Sequence, residues 1–479
     1  MTESATVFRY CRTGCIRTVL LASFVLVFLW KAVRPELVYH NQSPVFSFSS
    51  QFLSEYMGTP GEPVRYLSHL VYLSYLWPAL GALLTTLLIL GICLLAGRYF
   101  RVSGISHFSS MHLIPGAFLV LLHNSYQHSL SLDIGFAVAL VAALTYARHG
   151  AWHLFARVVL FLVTAGVIFY LATGAYLVFV ALSAVFECVR NRRAWLASVL
   201  LVLSLFIPLA YSLLVFGVSA GKAYASLIPP EYDGKIPSAL VCLWLSCPGL
   251  VIGVLAWEKI LARKMDWEAR ERMRRGDIAE ESHSVQEKSH RHRGGQREKS
   301  IIRRSLLASS VLAVVLYFSF PMHVRTLIEI DYHATNEEWE KVLVASKRLP
   351  VNLMTHFAFH DTNRALFHLG VYPERMFEFP QTDQLNTLMP PEKLSESMHA
   401  CLKFSDLFYD LGLISESEHL AYEALSSYGN HPAILKRLVQ TNALKGRAQA
   451  ARQFLNVLQT YPAARKWAKK FRTFLDSEP

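Results

Sequence analysis

Five polar residues of this chain have side chains that could do chemistry at one face of a membrane. They are Arg34, Glu36, Arg65, His123 and His128. A positioned carboxylate or imidazole can move a proton to or from a reacting group, and an arginine guanidinium binds phosphate through paired hydrogen bonds. We interpret Glu36, His123 and His128 as candidate catalytic residues, and Arg34 and Arg65 as candidate phosphate ligands, provided that their loops meet.

The same loops also fit an ordinary membrane interface. Aromatic residues lie among the polar ones, as at the headgroup level of many membrane proteins. In that interpretation the histidines are simply hydrated, and none of the five residues acts on a substrate. The sequence alone leaves both interpretations open.

Apolar segments long enough to cross a bilayer fill most of residues 16 to 320. A helix needs about 20 apolar residues to cross the hydrocarbon core. Hydrophobic residues make up 53% of the chain and charged residues 17%, which fits an all-α transmembrane bundle. We predict about nine spans from this length criterion. They cover residues 16–33, 75–97, 108–123, 132–147, 154–171, 173–188, 196–217, 237–257 and 305–321.

The distribution of Lys and Arg predicts the orientation of these spans. Cytoplasmic loops carry an excess of both residues. Alternate loops here are rich in arginine, as at Arg9, Arg12 and Arg17 before the first span. The opposite loops hold few basic residues: Lys31, Arg34, Arg65, Lys222 and Lys235. We therefore predict an inner-membrane protein with its N-terminus inside and its C-terminus outside, periplasmic in a Gram-negative cell.

This orientation depends on dividing residues 154–188 into two helices at Thr173-Gly174. The predicted domains are then a membrane domain with spans 1 to 8 (1–257), a charged cytoplasmic linker (258–304), span 9 (305–321) and an extracytoplasmic helical domain (322–479). The first half of the linker is expected to extend the preceding helix.

Net charge and cysteine usage limit the functional classes to which the protein can belong. The net charge of +12 comes from basic loops, and no basic module with interleaved aromatic residues indicates nucleic-acid binding. The seven cysteines are scattered, and no set of ligands predicts a metal site. His283, His290 and His292 are interpreted as solvated residues of the linker. The span interiors read as nearly free of charge, which argues against an ion-coupled pump.

The C-terminal domain contains an internal repeat. Leu411-Gly412 is followed by Leu420, Ala424, Tyr428 and Pro432, and Gly446 is followed by Ala450, Phe454, Leu458 and Pro462. Gly412 and Gly446 lie 34 residues apart, which is the tetratricopeptide period. The domain resembles a short, irregular tetratricopeptide-like array, with an insertion from Pro373 to Pro391. Such arrays present a face to a protein or peptide partner. The alternative is that the helices only pack against the membrane domain.

The whole layout resembles an uncharacterised family of polytopic inner-membrane proteins from Bacteroidota. The segments that carry this resemblance are PGEPVRYLSHLVYL, RTLIEIDYHATNEEWEKVL and NRALFHLGVYPERMF. The resemblance implies no activity. The layout is also similar to that of polyprenyl-phosphate-sugar glycosyltransferases, in which a carboxylate of an outer loop activates the acceptor. Glu36 has the matching position, although the aspartate motif usual in that class is missing.

Our principal hypothesis is an integral membrane protein of the cell envelope that presents a helical-repeat domain to a partner. The partner is expected to be a periplasmic protein or peptide bound through residues 330–479, with membrane lipids around the bundle. The alternatives are a membrane glycosyltransferase with its site in the outer loops, and a transporter. Whether the protein is an enzyme stays open. No cofactor is predicted, except that the transferase would take a lipid-phosphate sugar donor or a divalent metal.

Overall fold

The computed structural model describes residues 18–105, 111–217, 219–229, 236–275, 310–381 and 397–477. Of the described residues, 81% are helical and none forms a β-strand, so the all-α prediction is confirmed. Three predicted features lie outside the described residues. They are the basic N-terminal residues Arg9, Arg12 and Arg17, the histidine-containing part of the linker, and Lys235.

The chain divides into two compact units. The first unit comprises Met1–Val33, Tyr56–Ser68 and Ala79–Phe320, and the second comprises Arg34–Glu55, His69–Pro78 and Pro321–Pro479. The second unit thus contains two segments from the loop after the first apolar helix, in addition to the C-terminal region.

The helices of the first unit follow the apolar runs of the sequence. They are α1 (Thr18–Val33), α5 (Pro78–Val102), α6 (Met111–Leu122), α7 (Leu130–Arg148), α8 (Leu154–Leu171), α9 (Thr173–Val189), α10 (Ala194–Tyr211), α11 (Ala220–Ala225), α12 (Ser238–Arg275) and α13 (Ser310–Ser319). Two helices lie partly or wholly in the loop after α1, and the unit boundaries pass through them: α3 (Ser50–Met57) and α4 (Glu62–Tyr72).

Five of these helices are long and apolar enough to cross a membrane. They are α5, α7, α8, α10 with its extension to Val215, and the Ser238–Trp267 part of α12. The number is up to seven if each of two bent pairs is one span. The count falls below the predicted nine because α6 and α9 are shorter apolar helices, and because α1 and α13 bend by 56° and 64° into the helices that follow them.

Two local predictions agree with the helices observed. The segment 154–188 is broken at Ala172, whose φ of −154° and ψ of 80° interrupt the helical backbone between α8 and α9. The last long span continues without a break into charged sequence, because α12 runs to Arg275.

The second unit is built from helices that pack against their neighbours in sequence. They are α2 (Pro35–Gln42), α14 (Met322–Thr335), α15 (Trp339–Ser346), α16 (His356–His368), α17 (Tyr372–Arg375), α18 (Met398–Asp410), α19 (Ile414–Tyr428), α20 (Pro432–Leu444), α21 (Ala448–Leu458) and α22 (Arg465–Ser477). Consecutive pairs from α14 to α16 and from α18 to α22 are in contact. Small residues with almost no exposure, such as Ala421, Ala424 and Ala451, allow these helices to approach closely.

Three glycines end helices of the second unit in the same way. Gly370, Gly412 and Gly446 have φ of 69°, 77° and 71°. After each glycine the next amide reaches back to a carbonyl five residues earlier, as Leu413 N does to Phe408 O at 2.8 Å and Arg447 N does to Asn442 O at 2.9 Å. This is the Schellman turn, which glycine favours because its left-handed backbone costs it little.

We expect Gly412→Ala to lower the free energy of unfolding by about 1 kcal/mol, because a Cβ disfavours the left-handed backbone. Asparagine tolerates that conformation better than alanine. Gly412→Asn should therefore lose less stability, although a Cβ at Gly412 meets nothing within 4 Å in either case. Thermal unfolding of the purified protein measures both. Equal stability of the two variants and the wild type would contradict this account of the turn.

Candidate functional site

His123 and His128 meet at one carboxylate inside the first unit. His123 Nε2 lies 2.7 Å from Asp133 Oδ2, and His128 Nε2 lies 2.7 Å from Asp133 Oδ1. The two rings are nearly perpendicular, with centroids 5.1 Å apart. All three side chains are buried. One ligand atom from each residue lies within 4.8 Å of the others, so these residues could also hold a metal ion.

The loop between α6 and α7 positions this cluster. His123 caps the C-terminus of α6, and Ser129 caps α7 by accepting a hydrogen bond from Ser131 N. Tyr126 donates its hydroxyl to Val33 O at 3.0 Å, and Asn124 Nδ2 donates to Ser319 Oγ at 2.9 Å. The loop is therefore tied to other parts of the first unit at two residues that lie between the histidines.

Asp133 was the residue that the sequence analysis did not select. It lies in the first turn of α7, where a carboxylate is favoured by the helix dipole. The regular spacing of His123, His128 and Asp133, five residues each, was the available signal. It was weak, because it spans a helix end and a loop and therefore matches no periodic element.

Arg65 lines a cavity of about 520 Å³ in the first unit. Arg65 Nη1 donates to Glu62 Oε1 at 2.8 Å, and both residues line the cavity together with Lys222. The remaining wall is mostly small or apolar. It is formed by Pro60, Gly61, Val64, Ser131, Leu132, Gly135, Ala172, Thr173, Gly174, Ala175, Ala225, Ser226, Ile228, Pro229 and Trp244. The cavity thus combines an apolar surface with two basic groups and one acidic group.

The expectation that the span interiors are nearly free of charge was wrong. Arg157 of α8 and Glu187 of α9 are fully buried and form an ion pair. Tyr146 donates its hydroxyl to Glu187 Oε1 at 2.6 Å, and Asn191 donates to Glu187 Oε2 at 2.9 Å. The sequence misled because Arg157 and Glu187 each lie near a helix end, where a charge reads as part of a loop.

Arg34 and Glu36 belong to the second unit, whereas Arg65, His123 and His128 belong to the first. Arg34 Nε donates to Glu36 Oε1 at 2.7 Å, and Arg34 Nη1 donates to Glu329 Oε1 at 3.0 Å. Glu36 has a second oxygen, Oε2, that is buried without a hydrogen-bond partner. The guanidinium of Arg34 is therefore already engaged by two carboxylates of its own unit.

Buried and partly buried charges connect α14, α16 and α18 of the second unit. Lys403 of α18 lies 2.5 Å from Asp331 of α14 and donates to both carboxylate oxygens of Asp361 of α16 at 2.7 Å. Burial raises the pKa of Asp361, and the ammonium of Lys403 opposes that rise. Burial alone would lower the pKa of Lys403, but the two carboxylates outweigh it and raise that pKa.

A second set of charges continues this series. Arg364 of α16 donates to Asp406 of α18 at 3.1 Å and to Asp410 at 2.7 Å. Asp406 in turn pairs with Arg437 of α20. Burial would raise the pKa of Asp406, but Arg437 and Arg364 hold it below its usual value. The series links α14, α16, α18 and α20, and we call it the charge ladder.

A segment without regular secondary structure lies on the last helices of the second unit. Residues 43–49 have no regular secondary structure. Val45 packs against the apolar cluster formed by α20, α21 and α22. Ser47 Oγ donates to Thr460 O at 3.3 Å.

A groove of about 210 Å³ lies between α16 and α18. Its wall combines apolar side chains with the charge ladder. It is formed by Asn363, Arg364, Phe367, Tyr372, Leu407, Asp410 and Leu411. Phe367 and Leu411 are 53% and 56% exposed, so the apolar wall is open to solvent.

Removal of one partner of the Arg157–Glu187 pair should destabilise the fold. We expect Arg157→Leu to lower the free energy of unfolding by about 3–5 kcal/mol, because Glu187 is left charged away from water. The double variant Arg157→Leu/Glu187→Leu should regain most of that loss. Unfolding of the detergent-solubilised protein measures the effect, with the exposed Arg148→Leu as the control. A single variant no less stable than this control would contradict the assignment.

The chain matches a family model over residues 9–479, and it therefore belongs to that family, described as a family of unknown function (DUF6057). This agrees with the expected resemblance to an uncharacterised family. No curated protein and no solved structure matches the chain.

Proposed function

We propose that the protein is a multi-pass protein of the cell envelope whose second unit docks a protein partner. The family of this protein has no assigned activity. The groove between α16 and α18 carries this proposal. It combines exposed apolar side chains with a buried arginine and a carboxylate, and such a mixture binds an extended peptide through side-chain pockets and fixed charges.

The helix packing of the second unit supports the same proposal. The neighbouring helices joined at Gly370, Gly412 and Gly446 resemble tetratricopeptide-like repeats, which bind peptides on the faces of stacked helices. Residues 43–49, which have no regular secondary structure, already contact α20 to α22. We therefore propose that the partner presents an extended segment, with apolar side chains and a charge that pairs with Arg364 or Asp410.

The set of chain segments that form the second unit supports nine spans with the C-terminus outside. Residues 34–55, 69–78 and 321–479 form one compact unit, so these segments belong on one side of the bilayer. The chain between Pro78 and Pro321 must then cross an even number of times. Five long helices lie there, and α6, α9 and α13 raise the number to an even eight. With α1, we propose nine spans.

The location follows from this topology. The positive-inside rule then places the basic loops in the cytoplasm and the second unit in the periplasm. We propose the inner membrane of a Gram-negative cell of Bacteroidota.

The docking proposal predicts that Phe367→Asp and Leu411→Asp each abolish capture of the partner while the protein stays folded. A charge in the groove disfavours burial of an apolar peptide. The measurement is in-cell cross-linking through a photoreactive residue at Val351, which is 60% exposed in the same unit. The control is Phe474→Asp, which changes another half-exposed aromatic residue of this unit. Undiminished capture by both groove variants would refute the proposal.

The cavity of the first unit favours a second function, a glycosyltransferase that uses a polyprenyl-phosphate sugar. Arg65 and Lys222 supply two positive charges to an otherwise mostly apolar cavity, which suits a lipid phosphate. Glu62 is the carboxylate that lines this cavity, whereas Glu36 belongs to the second unit. We propose Glu62 as the base if the transferase exists, in place of Glu36.

The transferase predicts that Glu62→Gln lowers the rate of sugar transfer from a polyprenyl-phosphate donor by about 100-fold or more. Glu36→Gln separates the two candidate bases in the same assay. Full activity in Glu62→Gln, with loss in Glu36→Gln, would restore the original assignment. If the wild type transfers no sugar from any polyprenyl-phosphate donor, the transferase is rejected and docking is the one proposed function that remains.

A further inference from the structure

We propose that His123, His128 and Asp133 bind a divalent transition-metal ion, for which zinc is the probe. The proposal goes beyond the docking function, which depends on the second unit, because all three residues belong to the first unit. It rests on the convergence of two imidazoles and one carboxylate from the end of α6, the following loop and the first turn of α7.

The type of donor selects the class of metal. Two imidazole nitrogens and one carboxylate oxygen suit zinc and its first-row neighbours, whereas magnesium and calcium prefer oxygen ligands alone. Cysteine is not among the three residues, so the set differs from the thiolate-rich sites of structural zinc modules.

The distances are close to those that one ion requires. Two ligand atoms that each lie about 2.1 Å from an ion in a tetrahedral site are about 3.4 Å apart. The three ligand atoms here lie within 4.8 Å of one another. Changes of at most about 1.4 Å in the distances between these atoms therefore close the set around an ion. In the observed arrangement each imidazole instead lies 2.7 Å from one carboxylate oxygen.

The burial of the three residues makes a cation favourable. Asp133 has no exposed surface, and His128 and His123 have 1% and 6%. A carboxylate away from water needs compensating charge. The two imidazoles lie at hydrogen-bond distance from this carboxylate, and a divalent ion would supply two positive charges to the same group.

The loop holds the donors in place before an ion binds. Tyr126 and Asn124, which lie between the two histidines in the sequence, are hydrogen-bonded to Val33 and Ser319. A preformed set of ligands raises affinity, because little ordering remains to be done on binding. Three protein ligands also leave one position of a tetrahedral site for water or another small ligand. The site therefore has the ligand number of an exchangeable centre rather than that of a closed structural one.

Zinc binding to the chelator-treated, detergent-solubilised full chain tests the proposal. The wild type should bind one equivalent of zinc in competition with a chromophoric chelator. His123→Ala, His128→Ala and Asp133→Asn should each weaken binding by about 100-fold or more, because each removes a ligand. His153→Asn is the matched control. It deletes an exposed imidazole of the same unit and keeps a side-chain acceptor for the cap of α8.

Two results would overturn the proposal. The first is that the wild type binds no zinc, or binds it no better than any of the three folded variants, which means an adventitious ion only. The second result applies if the three variants fail to fold, so that their zinc binding cannot be compared. X-ray absorption of the zinc-loaded wild type then counts the histidine ligands, and a spectrum with fewer than two imidazoles rejects this site. Two imidazoles, with an unchanged spectrum for His153→Asn, support it.

Discussion

The cost of leaving a charge unpaired away from water governs the interior of both units. In the first unit Asp133 lies between two imidazoles, and Glu187 pairs with Arg157 and accepts from Tyr146 and Asn191. In the second unit the charge ladder alternates acids and bases across four helices. Buried pairs of this kind add little stability compared with apolar residues, but each fixes one mutual arrangement of the helices that carry it.

The two units use that constraint differently. Asp133 and Glu187 each belong to a small polar cluster among apolar helices. Each of these clusters is a separate polar site. The charge ladder instead runs from helix to helix and reaches the open groove at Arg364 and Asp410. Charges that position the helices of the second unit thus also form part of a surface that a partner can meet.

Much of the helical framework could be predicted from the sequence, because its signals are local. The break at Ala172 follows from an apolar run too long to cross once, and the turns at Gly412 and Gly446 follow from the preference of glycine for a left-handed backbone. The number of crossings was less certain. Length alone does not decide whether short helices such as α6 and α9 cross a bilayer.

The candidate sites were harder to predict, because their residues are distant in sequence. His123 and His128 were selected by residue type, yet the acid that joins them was not. Arg34 was selected as a phosphate ligand, yet its partner Glu329 lies 295 residues away. No periodicity carries such information, and a contact between a loop and a remote helix leaves no mark on either segment alone.

Residues 34–49 are synthesised well before the C-terminal helices that they contact. Ser47 meets Thr460 across 413 residues of chain. A ribosome adds about 5–20 residues per second, so this segment emerges at least about 20 seconds before the helices that bind it. During that interval its apolar residues, Val45 and Phe46 among them, have no native surface to cover them. A nascent chain that stops before α20 would carry this segment exposed, and a chaperone or protease could recognise that unfinished state.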